Sequence, residues 1–367
     1  MPQIRLAVDA LGVATICLVF LLVLLGLFCI IYTLYFWYQI RRSGFVQLGF
    51  FNGPWIIRII FVLFGLWWGF GEIIRLSLLR QKGRIFDSLG LKWEGDACKY
   101  YILSNLGFAE PCLFLTMSFL LRASLQWRDT GILSPKWNMK TAGYIVLYCL
   151  PVFALDFMFV LVAPEFYKGK SRVLNLPRTF TSTTHLLNMA GQPATAVCTY
   201  PLLCTFLHGL FAAVLTCYLL FLGRQMVSSV INRGLQRRVC VLIFVVSVFL
   251  PSRVALLCFS VMAKSHSLFE EALAFSGFLV LLSCVVVGIF ILVYLPVADS
   301  LALIRGLRTA AADYNGSGLV TAANLGSHNT SMPMWESISF RTTVKGEASS
   351  VGVLEEEMAT LFPRLQP

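Results

Sequence analysis

The chain has 367 residues, 58% hydrophobic and only 13% charged, with a mean hydropathy of +0.78 and a formal net charge of +11. A water-soluble domain needs far more polar surface, which excludes the soluble globular classes. The basic excess sits between apolar runs, where lipid headgroups account for it, and no RNA- or DNA-binding module accompanies it, so nucleic acid is excluded as a partner.

Seven apolar runs, each about 20 residues or longer, predict seven helices that cross the hydrocarbon core of a lipid bilayer. The first, Ala10 to Tyr32, contains no charge. It follows a nine-residue N-terminal segment and is too long for the core of a cleavable signal peptide. The second spans Trp55 to Leu79, the third Tyr101 to Leu121 and the fourth Ala142 to Ala163. The fifth spans Val197 to Gly223, the sixth Val239 to Ala263 and the seventh Leu273 to Val297. Aromatics cluster near run ends, as at Tyr35, Phe36, Trp37 and Tyr38, where an interfacial belt belongs. Pro111, Pro151, Pro251 and Pro296 fall inside runs and are expected to interrupt or kink helices by removing a backbone donor.

The fold class is therefore an all-α integral membrane protein, a seven-helix bundle over residues 10–297. Residues 298–312 read as a short amphipathic helix on the membrane surface, with Arg305 and Arg308 at the headgroups. Residues 313–367 are rich in Ser, Thr, Gly and Asn and read as a disordered tail.

Lysines and arginines nearly tie between the two sets of loops, and the acids decide the orientation. Asp87, Glu94, Asp96, Glu165, Glu270 and Glu271 all fall on one side, against Asp129 on the other. The acidic side is read as the outside, with the N-terminus out and the tail cytoplasmic. Most of the eleven cysteines lie in apolar runs as buried thiols. Cys98 and Cys198 instead share the outer side, where disulfides persist, and are either bridged or two unrelated thiols.

Six ionisable residues sit inside runs: Glu72 and Arg75, Glu110, Asp156, His208 and Arg253. Such residues are costly and face the bundle interior. They would line a cavity for an unidentified extracellular ligand. Alternatively they form internal ion pairs such as Glu72–Arg75 and Asp156–Arg253 that only fix packing, or they line a transport path. The basic positions Arg122, Arg128, Arg224, Arg233, Arg237 and Arg238 lie on the inner side as contacts for a cytoplasmic partner.

No enzyme signature is present. The four histidines are too few for clustered metal boxes, and no G-x-S-x-G elbow, H-E-x-x-H or P-loop occurs, so neither a metal nor another cofactor is expected. A transporter should show internal repeats with paired broken helices, and none is evident.

The segments FNGPWIIRIIFVLFGLWWGFGEIIRLSLLR, Phe51 to Arg80, and SNLGFAEPCLFLTMSFLLR, Ser104 to Arg122, resemble the plant candidate G-protein-coupled receptors. The opening DALGVATICLV is similar as well. The resemblance implies a seven-helix receptor-like protein of the plasma membrane that engages the heterotrimeric G-protein α subunit in signal transduction. The animal rhodopsin-like pattern is not matched: the third run ends Leu121-Arg122-Ala123-Ser124, and the seventh reads Tyr294-Leu295-Pro296-Val297. A transporter or channel, or a scaffold recruiting partners through its tail, are the alternative functions.

An odd number of crossings puts the chain ends on opposite sides. A C-terminal epitope should be labelled only after permeabilisation, and the sequons at Asn315 and Asn329 should carry no sugar; glycosylation of either inverts the topology.

Overall fold

A computed structural model describes residues 2–43, 54–76, 91–130, 137–162, 182–187, 195–229, 233–262 and 268–317. Seven helical rods make up most of the described chain, each long and apolar enough to cross a membrane. They are α1 (Pro2–Ser43), α2 (Trp55–Arg75), α3 (91–130), α4 (137–162), α5 (Leu202–Ser229), α6 (Arg233–Met262) and α7 (268–317). The outward faces remain apolar, with Phe20, Ile31, Phe206, Phe244 and Phe290 all at least half exposed. A contiguous greasy belt of this kind suits lipid rather than water.

Three rods contain a π-helical turn: Asn105–Ala109 in α3, Met158–Val162 in α4 and Ile289–Tyr294 in α7. Such turns accommodate an irregularity without ending the helix and are frequent at functional sites. This corrects the expectation that the prolines interrupt helices. Pro111 and Pro296 follow a π-turn within two residues, while Pro151 and Pro251 sit inside continuous helix.

The rods also run past the apolar runs. Helix α3 starts at Leu91, ten residues before the run, and takes in Lys92, Glu94, Asp96 and Lys99. Lys99 bonds Asp96 one turn back at 3.0 Å, which supports a helix in a polar stretch. Helix α7 continues through residues 298–312 to Ser317 as the same rod. Its Leu301 and Ile304 pack on Phe36 and Ile40 of α1, so the expected separate surface helix is instead a docked extension of α7. Of the tail 313–367, residues 318–367 lie outside the described residues.

The all-α expectation also misses a hairpin. Thr184–Leu187 (β1) pairs antiparallel with Thr195–Cys198 (β2), Thr184 opposite Cys198. Val197 and Cys198, assigned to the fifth run, are thus strand, and α5 begins only after Pro201. Cys198 is disulfide-bonded to Cys98 of α3, with the two Cα atoms 5.3 Å apart. The bridge pins the hairpin to the bundle across a sequence separation of 100.

The core is built from Phe61 and Trp68 of α2, Phe114 and Met117 of α3, Leu242 of α6, and Phe278 and Val285 of α7. Small residues set the close approaches, as is usual where helices pack in lipid. A Cβ at Gly288 would come within 2.8 Å of Phe61 and 2.9 Å of Met117. The tightest position is Gly71, whose missing side chain leaves room for the Asn105 amide. From there Asn105 Nδ2 donates to the Trp68 carbonyl at 3.0 Å.

Gly71→Ala should displace that amide and cost about 1–3 kcal/mol through the lost buried hydrogen bond. Gly143→Ala, where a Cβ meets nothing within 4 Å, should leave stability unchanged. Unfolding midpoints of the purified variants in detergent check both.

Candidate functional site

The alternating directions of the rods bring one end of α2 and the start of α3 together with the end of α4, the start of α5, the end of α6 and the start of α7, beneath the hairpin. At this end the ionisable side chains meet. Glu72 sits three residues before Arg75 on α2, so both share a face, and Arg75 Nε donates to Glu72 Oε2 at 3.2 Å. From α6, Arg253 Nη2 reaches Glu72 Oε1 at 3.2 Å and Glu110 Oε1 of α3 at 2.8 Å. From α5, His208 Nε2 lies 3.1 Å from Glu110 Oε2, close in distance though off hydrogen-bond alignment.

Neutral donors complete the cluster. Trp68 Nε1 donates to Glu110 Oε1 at 3.2 Å, and its ring stacks on Phe278 of α7 at 5.5 Å. Tyr101 Oη donates to Glu72 Oε1 at 3.0 Å and shares a 2.8 Å hydrogen bond with Tyr200, two residues beyond the bridged Cys198. The hairpin is thereby wired to the ion pairs by both a covalent and a polar link. Glu72, Glu110, His208 and Arg253 are each at most 1% exposed. Gly277 of α7 admits the guanidinium, since a Cβ there would lie 3.0 Å from Arg253 Nη1.

Two carboxylates, Glu72 and Glu110, face two guanidiniums, Arg75 and Arg253, so the cluster is charge-balanced by itself. A balanced, desolvated set of this kind tolerates loss of one member badly, because the survivor is left as an unpaired buried charge.

Five of the six predicted pocket residues come together in this way. The sixth, Asp156, does not, and the expected Asp156–Arg253 pair is replaced by Arg253 bridging Glu72 and Glu110. Asp156 is 0% exposed and lies against Gly107 of the α3 π-turn. Arg75 borders a shallow recess with Glu271, Thr15, Leu11 and Phe275, where α1, α2 and α7 meet.

Sequence reasoning missed Trp68, Tyr101, Tyr200 and Asn105, whose aromatic or neutral character carries no signal until their partners are known. It also missed Arg58, which is 8% exposed, one turn into α2 at the opposite end. Its Nε and Nη1 find no hydrogen-bond partner among the described residues.

The predicted partner-contact arginines occupy that opposite end, at the close of α3 and α5 and the opening of α6. Arg224 and Arg237 are exposed, whereas Arg238 is paired with Asp299 of α7 and ties α6 to α7. The side chains of Arg128 and Arg233 lie outside the described residues, and Arg122 is half-buried. Among the described residues no group of three or more His, Cys, Asp or Glu side chains is arranged to hold a metal ion.

Arg253→Met should destabilise the protein by about 3–5 kcal/mol, since it strands Glu110 while Glu72 keeps Arg75. Combining it with Glu110→Gln, which leaves the Glu72–Arg75 pair balanced, should recover part of that loss. Thermal unfolding in nanodiscs reads both; a single Arg253→Met variant as stable as wild type contradicts the network.

No curated protein matches the chain. Residues 1–310, which take in all seven rods and the hairpin, match a family profile. The chain belongs to the family described as uncharacterised conserved protein UCP031277.

Proposed function

We propose that the protein is a receptor-like seven-helix membrane protein whose buried ion-pair cluster is the element that changes state. The observation that carries this reading is the position of Arg253, one guanidinium held between carboxylates from two other helices and lying under a hairpin that the disulfide fixes in place. An external ligand that engages the hairpin end, or the recess beside Arg75, shifts the pairing of Arg253 and with it the packing of α6 against α2, α3 and α7. A ligand acts on such an equilibrium only through its differential affinity for the two packings.

The response is delivered at the other end, where Arg224 and Arg237 are exposed and Arg238 pairs with Asp299. The partner we propose there is the heterotrimeric G-protein α subunit, in line with the resemblance of Phe51 to Arg80 and Ser104 to Arg122 to the plant candidate receptors. The protein then resides in the plasma membrane with its N-terminus outside.

Neutralising one carboxylate of the cluster while keeping its shape should bias the equilibrium. In nanodiscs with a purified G-protein α subunit, Glu110→Gln should raise basal guanine-nucleotide exchange several-fold over wild type, and Arg224→Glu with Arg237→Glu should abolish that rise. Exchange unchanged by wild type and by every variant, with folding intact, overturns the coupling.

A further inference from the structure

Arg253 is buried among carboxylates, and Arg58 is buried without one. Arg58 lies one turn into α2, at the end opposite the hairpin, and is 8% exposed. Its Nε and Nη1 are sealed from solvent without a hydrogen-bond partner, and no opposite charge acts on it among the described residues. Its helix neighbours Ile57, Phe61 and Val62 are at most 1% exposed and offer only hydrocarbon. Arginine stays protonated in proteins, so the charge is not shed. A buried cation of this kind is costly until an anion replaces the water it has lost.

The sequence supplies little to meet it. Residues 44–53, 131–136 and 230–232, which join the rods at this end, contain no Asp or Glu. Asp299 is taken by Arg238. Asp129 lies six residues past Ala123, where the apolar span of α3 ends, or about 9 Å along the helix axis. Lys140, Arg224 and Arg237 are exposed at the same end and add to its positive potential.

The backbone beside Arg58 is also short of acceptors. Helix α2 opens at Trp55 after Pro54, and no side chain caps it. The Arg58 N–H donates to the Pro54 carbonyl at 3.0 Å, which leaves the amides of Trp55, Ile56 and Ile57 without an acceptor inside the helix. These amides stand at the positive end of the helix dipole, a setting that favours anions. A helical side chain leans back over the turn before its own Cα, which directs the Arg58 head group toward them. Trp55 stacks on Trp37 of α1 at 5.3 Å, and tryptophans of this kind sit at the level of the lipid headgroups. Three open amides and an unpaired guanidinium thus share one helix turn just beneath that level.

We propose that Arg58 and the open first turn of α2 bind one phosphate group. The ligand chemistry is a phosphate oxyanion, carried by a lipid headgroup or by free phosphate. Its oxygens accept from the guanidinium and the amides, and its charge takes the place of the missing carboxylate. The site rests on α2 and its surroundings and does not depend on the receptor reading.

The test starts from the full chain stripped of lipid, in maltoside micelles and phosphate-free buffer. Phosphatidic acid should raise its thermal midpoint and saturate at about one lipid per chain, as a ligand of the folded state does. Inorganic phosphate separates the two sources. The same rise with inorganic phosphate alone assigns the site to free phosphate, and a rise confined to phosphatidic acid assigns it to a headgroup. Arg58→Met should fold with a midpoint no lower than that of stripped wild type, because it removes an unpaired buried charge, and should respond to neither probe. Lys140→Gln, which removes an exposed charge at the same end, and Asp129→Asn should both respond as wild type does. The proposal is overturned if neither probe raises the wild-type midpoint, or if diacylglycerol raises it as much as phosphatidic acid. It is equally overturned if Arg58→Met fails to fold or still responds, or if Lys140→Gln or Asp129→Asn abolishes the response.

Discussion

A single guanidinium determines how the hairpin end of this bundle holds together. Arg253 is 1% exposed, and its Nη2 is shared between Glu72 of α2 and Glu110 of α3. Burying an arginine is tolerated only when opposite charge and hydrogen bonds replace the water it loses. Every neighbouring feature serves that requirement. Gly277 lets the head group approach α7, Arg75 takes the Glu72 oxygen that Arg253 leaves, Trp68 and Tyr101 donate to the same Glu110 and Glu72 oxygens that Arg253 contacts, and His208 lies 3.1 Å from the remaining Glu110 oxygen. Charge complementarity at one point thus fixes the register of four helices that apolar packing alone leaves free to slide, because lipid is as apolar as the side chains that face it.

The hairpin and the cluster form one unit. The bridge from Cys198 to Cys98 and the hydrogen bond from Tyr200 to Tyr101 reach α3 within one turn of each other, and Tyr101 touches Glu72 directly. A displacement of the hairpin is therefore felt by the carboxylate that Arg253 holds. At the far end α7 continues past the apolar belt, packs Leu301 and Ile304 on α1, and is paired to α6 through Asp299 and Arg238. Helix α6 thus joins a buried pivot at one end to an exposed basic rim at the other. The proposed receptor-like switch needs that connection.

How much of this was legible in the sequence depends on the range of the interaction. The seven rods follow from apolar run length, a local property, and their number and order match the structure. Boundaries are less visible. Helix α3 begins in a charged stretch stabilised by its own Lys99–Asp96 pair, and α7 runs on because Leu301 and Ile304 meet Phe36 and Ile40, contacts between opposite ends of the chain. The hairpin escaped notice because β2 overlaps an apolar run, whose first residues Val197 and Cys198 read as the opening of the fifth helix. The six intramembrane ionisable residues were visible as anomalies, and Glu72–Arg75 follows from spacing alone. Which carboxylates Arg253 takes does not follow from spacing, since it depends on how α2, α3 and α6 are rotated about their axes. The same holds for Asn105, whose role rests on the absence of a side chain at Gly71 on another helix.

The central claim is that Arg253 and Glu110 are energetically coupled in the folded protein. A double-mutant cycle with Arg253→Met and Glu110→Gln, read by equilibrium unfolding in nanodiscs, measures that coupling directly. A direct, desolvated pair predicts an interaction energy of about 1.5 kcal/mol or more, with the double variant more stable than the sum of the single losses implies. Effects that add to within about 0.5 kcal/mol contradict the account.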